Sequence, residues 1–183
     1  GNEVKISDDG EILARGELIM NGYWNDPEAT SSTIINGWVH TGDIGEFDEE
    51  MYLKITDRKK DIIVNSGGDN ISPSRIEEKI DINPEISQSM IYGDFKSYLV
   101  AIIVPNKDQA LLWAKENSKS NNIKILIKDK DYIKMIKEVT MKVNSQLSII
   151  EQVKKFILID KEFTIENDMM TPTMKVKRYK VKE

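Results

Sequence analysis

The rhythm of apolar and polar positions changes near Thr56, and that change divides the chain. Up to there, short runs alternate with a period of two and are broken by turn residues, which predicts strands. Gly1 to Ile6 reads as a strand and Asp8-Asp9-Gly10 as a turn. Alternation resumes at Ile12-Leu13-Ala14, so Asp9-Gly10 predicts a hairpin. Asp26-Pro27-Glu28 predicts a short helix, because Asp26 can cap, Pro27 suits the first helical position and Glu28 favours the dipole. Asn36-Gly37 is expected to stop it. Trp38 to His40, Ile44 to Phe47 and Tyr52 to Ile55 follow as strands, with Asp48-Glu49-Glu50 as a turn. Short, evenly spaced strands predict a piece of a small barrel or sandwich.

Beyond Thr56 the pattern mixes both periods. Asp57-Arg58-Lys59-Lys60-Asp61 is a charge run, then Asp61 to Asn65 a strand, Ser66 to Asn70 a glycine turn, and Ile71 a return. Ser72-Pro73 opens a helix to about Ile80. Ile86 to Tyr92 and Tyr98 to Val104 read as strands, Pro105 stopping the second, and Lys107 to Glu116 as a helix. The clearest helix is expected over Asp131 to Ile150, where Tyr132, Ile136, Val139, Val143, Leu147 and Ile150 form a core-facing stripe. A last strand is expected at Lys155 to Ile159. The basic end, from Phe163 to Glu183, reads by itself as a solvated tail. The predicted class is α+β: a β-rich lead-in over 1–57, then a domain over 58–183 with a short central sheet, flanking helices and a β-hairpin.

Composition narrows this only a little. The chain has 183 residues, 39% hydrophobic and 31% charged, as globular proteins do. A net charge of -5 argues against bulk nucleic-acid binding. Absence of cysteine excludes disulfides and thiolate metal sites and fits a cytoplasmic location. The longest apolar run, Leu99 to Val104, falls far short of the roughly 20 residues of a membrane helix. With no initiator Met and a hairpin beginning at once, the sequence reads as part of a longer polypeptide whose remainder lies upstream.

Three segments carry candidate chemistry. Asp43, after Thr41-Gly42, has two acceptor oxygens suited to a pair of ribose hydroxyls, although such an Asp can equally satisfy backbone amides of its own turn. Arg58 lies in the charged junction, where a guanidinium can pair with an anionic ligand. The Ser66-Gly67-Gly68 turn allows close approach of backbone to a ligand. Near the end, Thr171-Pro172-Thr173-Met174-Lys175-Val176-Lys177-Arg178 holds long cationic side chains, and spacing alone does not show that one of them reaches a site.

Taken in order, Gly37-Trp38-Val39-His40-Thr41-Gly42-Asp43, the Asp57 to Pro73 segment and the Thr-Pro-Thr-x-Lys-x-x-Arg ending resemble the adenylate-forming superfamily of acyl-CoA synthetases, peptide-synthetase adenylation domains and luciferases. Gly16-Glu17-Leu18-Ile19-Met20 and Gly22-Tyr23-Trp24-Asn25-Asp26-Pro27-Glu28-Ala29-Thr30 match the segment such enzymes carry just upstream. The form of the glycine turn, Ser66 to Pro73, and the Thr173-Met174 pair before Lys175 resemble the long-chain fatty acyl-CoA synthetases. Many relatives have Ser-Gly before that lysine.

The resemblance implies ATP-dependent joining of a fatty acid to coenzyme A through an acyl-adenylate, releasing pyrophosphate and then AMP. It assigns Asp43 to the ribose, Arg58 to the nucleotide, and Lys175 to catalysis of adenylation. It puts the hinge at Lys60, with Lys59 and Asp61 as alternatives, and the coenzyme A tunnel at Ser66, Gly67 and Gly68. Residues 1–57 then correspond to the end of the large domain's β-barrel subdomain. Magnesium is the implied phosphate counter-ion, with its ligand expected upstream and none named here. The phosphate loop and acyl pocket are also expected upstream, so this piece alone should be inactive. His40 is expected to orient the turn before Asp43, and Trp38 to pack in the core. A medium-chain or aryl-acid CoA ligase remains an alternative, as does a non-catalytic module whose basic tail binds RNA or an acidic membrane. Peripheral membrane association is open to the parent enzyme because its substrate is a lipid.

Overall fold

The alternating first part of the chain becomes an antiparallel sheet. In the computed structural model, which describes residues 1–182, this sheet belongs to a unit spanning Gly1–Ile62, and a second unit runs from Ile63 onward. Strands β1 (Glu3–Ile6) and β2 (Glu11–Arg15) pair as expected, Ile6 facing Ile12. Asp26 caps helix α1 (Pro27–Thr33), its Oδ1 accepting from the Ala29 N–H at 2.9 Å.

That helix ends before Asn36-Gly37. Strand β3 (Ile34–Ile35) intervenes, and Asn36 and Gly37, both at positive φ, make a two-residue turn that sets Ile35 opposite Trp38. Asn-Gly here is a hairpin turn rather than a helix stop. Beyond it the two strands expected on either side of Thr41-Gly42-Asp43 are one, β4 (Trp38–Phe47). Leu13 faces His40 and Glu11 faces Ile44, so residues 41–43 bulge out of the ladder instead of ending it. Strand β5 (Leu53–Arg58) pairs with the far part of β4, giving the order β1-β2-β4-β3 with β5 also on β4. Trp38 is only half-buried: Lys5 Nζ and Arg15 Cζ lie 4.3 and 4.6 Å from its ring centre, so it serves as a cation platform and not as core.

The second unit begins with a short hairpin, β6 (Ile63–Val64) and β7 (Asn70–Ile71). Ser72 then caps helix α2 (Pro73–Asp81), with Pro73 at its first turn. Strands β8 (Ile86–Tyr92) and β9 (Leu99–Pro105) are antiparallel, and β9 is parallel to β10 (Val153–Leu158). A parallel pair needs a crossover. Here it is supplied by α3 (Lys107–Glu116), α4 (Ile123–Leu126) and α5 (Lys130–Asn144). Ile76 and Ile80 of α2, Leu99 and Ile103 of β9, and Tyr132 and Ile136 of α5 meet in the main core. Each of these isoleucine and leucine side chains contributes about 1.5–3 kcal/mol on burial. Burial, and then the Glu85 charge, push the Tyr132 hydroxyl up to about 12.

Helix α5 stops at Asn144, before the predicted Ile150, although the apolar period continues. The Asn144 carboxamide bonds both the C=O and the N–H of Val153, at 2.8 and 2.9 Å, which turns the chain toward β10. Ser148 then starts a separate 3-10 turn, Ile149–Glu151, closed by the Glu151 carboxylate. Leu147 stays buried from the intervening loop, while Ile150 is largely exposed.

The basic end is not a solvated tail. Phe163 and Met170 are buried with Met90 and Val104 in a second apolar cluster, and the chain closes with a short helix, α6 (Arg178–Val181). No helix among the described residues is long and apolar enough to cross a membrane.

Candidate functional site

In the first unit, β-ladder register brings two of the expected residues together. Asp43 and Arg58 are directly paired on β4 and β5, and Arg58 Nε lies 2.9 Å from Asp43 Oδ1. The bulge that carries Asp43 is held at each of its residues. Thr41 Oγ1 donates to the Ile12 carbonyl at 2.8 Å and accepts from the Asp43 N–H at 3.1 Å. Gly42 sits at φ +72, the left-handed region that favours glycine, and its N–H donates to Glu11 Oε1 at 2.9 Å.

Glu11 is the residue that sequence reasoning missed. It opens β2 and is 3% exposed. Its second oxygen lies 2.9 Å from His40 Nδ1 and accepts from Lys59 Nζ at 2.9 Å. Lys59 in turn pairs with Asp9 at 2.6 Å. Burial alone would raise the Glu11 carboxyl, but Lys59, His40 and the Gly42 N–H together hold it below the ordinary range. Lys59, and then Ser7, lower Asp9 to about 2, and Asp9 and Glu11 raise Lys59. His40 therefore lies beside the bulge through Glu11, in keeping with an orienting part. The only sequence signal for Glu11 was a carboxylate placed among Ile12 and Leu13 with no local partner for its charge.

Lys60 and its alternatives Lys59 and Asp61 form a 3-10 turn after Arg58. Lys60 is exposed, whereas Lys59 is tied to Asp9 and Glu11. The first compact unit closes after Ile62.

The second unit carries the other expected residues. Ser66, Gly67 and Gly68 are exposed at the tip of the β6–β7 hairpin. Asn65 organises that tip: its Oδ1 accepts from the N–H of Gly67 at 2.8 Å and of Asp69 at 2.9 Å, and Gly68 takes φ +86. Ser66 is tied by its N–H to the Lys96 carbonyl at 3.1 Å.

Lys175 stands on a tight turn of its own. Thr171 N–H donates to the Lys175 carbonyl at 2.8 Å, Thr171 Oγ1 accepts from the Lys175 N–H at 3.1 Å, and Met174 adopts φ +62. The turn is closed by the pairing of Met170 with Val176. The Lys175 side chain is exposed, and its ammonium makes no hydrogen bond or ion pair among the described residues. The neighbouring cations are engaged. Lys177 pairs with Asp168, and Arg178 grips both oxygens of Glu77, at 2.5 and 2.7 Å. Glu77 Oε1 also accepts the Ile91 N–H at 2.6 Å, so the turn bearing Lys175 is anchored to α2 and β8. Among the described residues, no group of three or more His, Asp or Glu is placed to hold a metal ion.

Known proteins are similar to this chain in sequence and in fold. The long-chain-fatty-acid–CoA ligase FadD15 of Mycobacterium tuberculosis is 39% identical over 185 residues, covering 100% of this chain and 31% of that protein. Human long-chain-fatty-acid–CoA ligase 1 is 35% identical over 181 residues, 97% of this chain and 26% of its own length. The chain thus spans less than a third of the curated relatives it matches. Among solved structures, the adenylation domain of a carboxylate reductase from Mycobacterium chelonae superposes with a TM-score of 0.78 at 23% identity, covering 100% of this chain and 29% of that one, a likeness of fold. The family model described as the AMP-binding enzyme C-terminal domain matches residues 60–181, and the chain belongs to that family.

Proposed function

We propose that this chain is the C-terminal portion of an ATP-dependent long-chain fatty acid–CoA ligase. The observation that carries the reading is the Asp43–Arg58 pair, a carboxylate and a guanidinium 2.9 Å apart on facing strands. No donor other than Arg58 approaches the Asp43 carboxylate among the described residues, which leaves it acceptor capacity for the two hydroxyls of a ribose. Arg58 Nε holds the carboxylate while the rest of the guanidinium remains for an anion. On the second unit, Lys175 offers an unpaired ammonium on a braced turn, suited to the α-phosphate that a fatty carboxylate attacks. As charge concentrates on the phosphate oxygens during transfer, the attraction to that ammonium grows, which favours the transition state over the bound substrates. The Ser66-Gly67-Gly68 tip lines the path of coenzyme A, and Lys60 is the hinge between half-reactions.

Exposed Trp24 and Leu18 support a first unit that is covered by further polypeptide. Magnesium enters as counter-ion to the phosphates, held by residues outside this chain. The parent enzyme works in the cytoplasm, peripherally at membranes where its lipid substrate resides. Long fatty acids are favoured over medium-chain or aryl acids by the relatives' names and the form of the two motifs. The basic-tail reading loses its main support, since Lys177 and Arg178 are engaged within the fold.

The test uses the full-length polypeptide with ATP, coenzyme A and a panel of carboxylic acids. Lys175→Ala is expected to slow acid-dependent pyrophosphate release by ~10²–10³. Thioester formation from supplied acyl-adenylate should be largely spared. Near-normal pyrophosphate release by the variant removes Lys175 from this role, and a preference for aryl acids replaces the substrate.

A further inference from the structure

We infer that Glu11 is a positioning residue for nucleotide recognition, fixing through the Gly42 backbone the bulge on which Asp43 stands; the inference rests on the ribose role proposed for Asp43. Glu11 lies outside the segments that carry the family resemblance. It touches none of the groups proposed to meet substrate, yet three donors converge on it. Oε1 takes the Gly42 N–H, while Oε2 faces His40 Nδ1 and Lys59 Nζ, each contact at 2.9 Å.

The geometry explains why a charged residue occupies a buried strand position. A bulge breaks the ladder, so its backbone groups lose their strand partners and need others. The Gly42 N–H, one residue from Asp43, is met by Glu11. Only a carboxylate can accept from that amide with one oxygen while accepting from an ammonium with the other. Lys59 compensates the buried charge and is itself gripped by Asp9 at 2.6 Å. Lys59 also adjoins Arg58, the cross-strand partner of Asp43. One carboxylate thus braces both sides of the pair: the bulge that carries the acid, and the residue next to the base. Its partners come from β4 and from the turn after β5, so removing it frees both strands at the point where they face the nucleotide.

The experiment measures pyrophosphate release by the full-length polypeptide with ATP and with 2′-deoxy-ATP. A ribose held by Asp43 should make the unaltered enzyme prefer ATP by roughly tenfold or more, since one hydrogen bond to a charged group is lost in the analogue. Glu11→Ala is expected to raise KM for ATP about tenfold, with a smaller fall in kcat, and to bring the ATP/2′-deoxy-ATP preference close to one. Glu11→Gln keeps the shape but turns an NH2 toward one of the donors, so it should lower the preference about threefold. This variant serves if the alanine does not fold. A general loosening of the protein would slow both nucleotides alike and leave their ratio intact. An active Glu11 variant with the unaltered enzyme's ratio overturns the positioning role and leaves the assignment of Asp43 standing. An unaltered enzyme that does not distinguish the two nucleotides overturns the assignment of Asp43, and the inference with it.

Discussion

Replacing Arg178 by alanine should loosen the end of the chain more than any other single truncation of a cation. Its guanidinium makes two short bonds to Glu77 and a longer one, 3.4 Å, to the Ile91 carbonyl. The two side chains are 17% and 13% exposed. Removing one partner of a fully buried pair costs about 3–5 kcal/mol, because the other charge is stranded. Some water reaches this pair, so the expected loss is lower, about 2–3 kcal/mol, comparable to one hydrogen bond to a charged group plus lost packing. At roughly 3–5 °C per kcal/mol for a unit of this size, the thermal midpoint should fall on the order of 10 °C. Urea titration of the purified chain measures the loss, and amide exchange locates it: protection should fall from Phe163 through Lys182, including the Lys175 turn. Arg178→Lys should lose about 1 kcal/mol, keeping a charge but not the two-pronged fit. The double variant Glu77→Gln with Arg178→Ala should be less destabilised than the sum of the singles, as partners in contact are not additive. A melt of Arg178→Ala within about 0.5 kcal/mol of the parent would refute the anchoring.

Two further outcomes follow from the first unit. Asp9 and Glu11 titrate below their ordinary values when folded, so they bind protons more weakly than in the unfolded chain; their contribution is present above the ordinary pKa and is lost as pH falls, for Asp9 between 3.8 and about 2. Stability of the chain followed by circular dichroism should therefore fall across that window, and less steeply in Asp9→Asn. Gly42→Ala should cost about 1–2 kcal/mol from the positive φ alone, since an added Cβ would meet nothing nearer than Arg58 at 4.0 Å, and denaturant unfolding reads that loss directly.

Local signals in the sequence predicted local structure well. Ser72-Pro73 marked the start of α2, and the apolar runs of β8 and β9 were recovered within a residue. Failures occurred where a distant partner decides. The stripe through Leu147 and Ile150 suggested a longer α5, but the bonds between Asn144 and Val153 end it, and periodicity does not report them. Asn36-Gly37 read as a helix stop, and only the pairing of Ile35 with Trp38 shows it to be a hairpin turn. Glu11 was overlooked because its partners lie 29, 31 and 48 residues away. Asp43 and Arg58 stood out by residue chemistry and took their roles from the resemblance, and their direct pairing became visible only in the ladder.

That ladder sets what the connection between Asp43 and Arg58 is free to do. The tip joining β4 to β5, from Asp48 to Tyr52, is closed by its own bonds, with Asp48 N–H donating to the Tyr52 carbonyl at 3.0 Å. Lengthening or shortening that tip leaves the two side chains facing each other as long as the rungs below it keep step. A one-residue slip of β5 would instead send Arg58 to the opposite side of the sheet and leave Asp43 without its neighbour. Variation in this loop is therefore tolerated in length but not in phase.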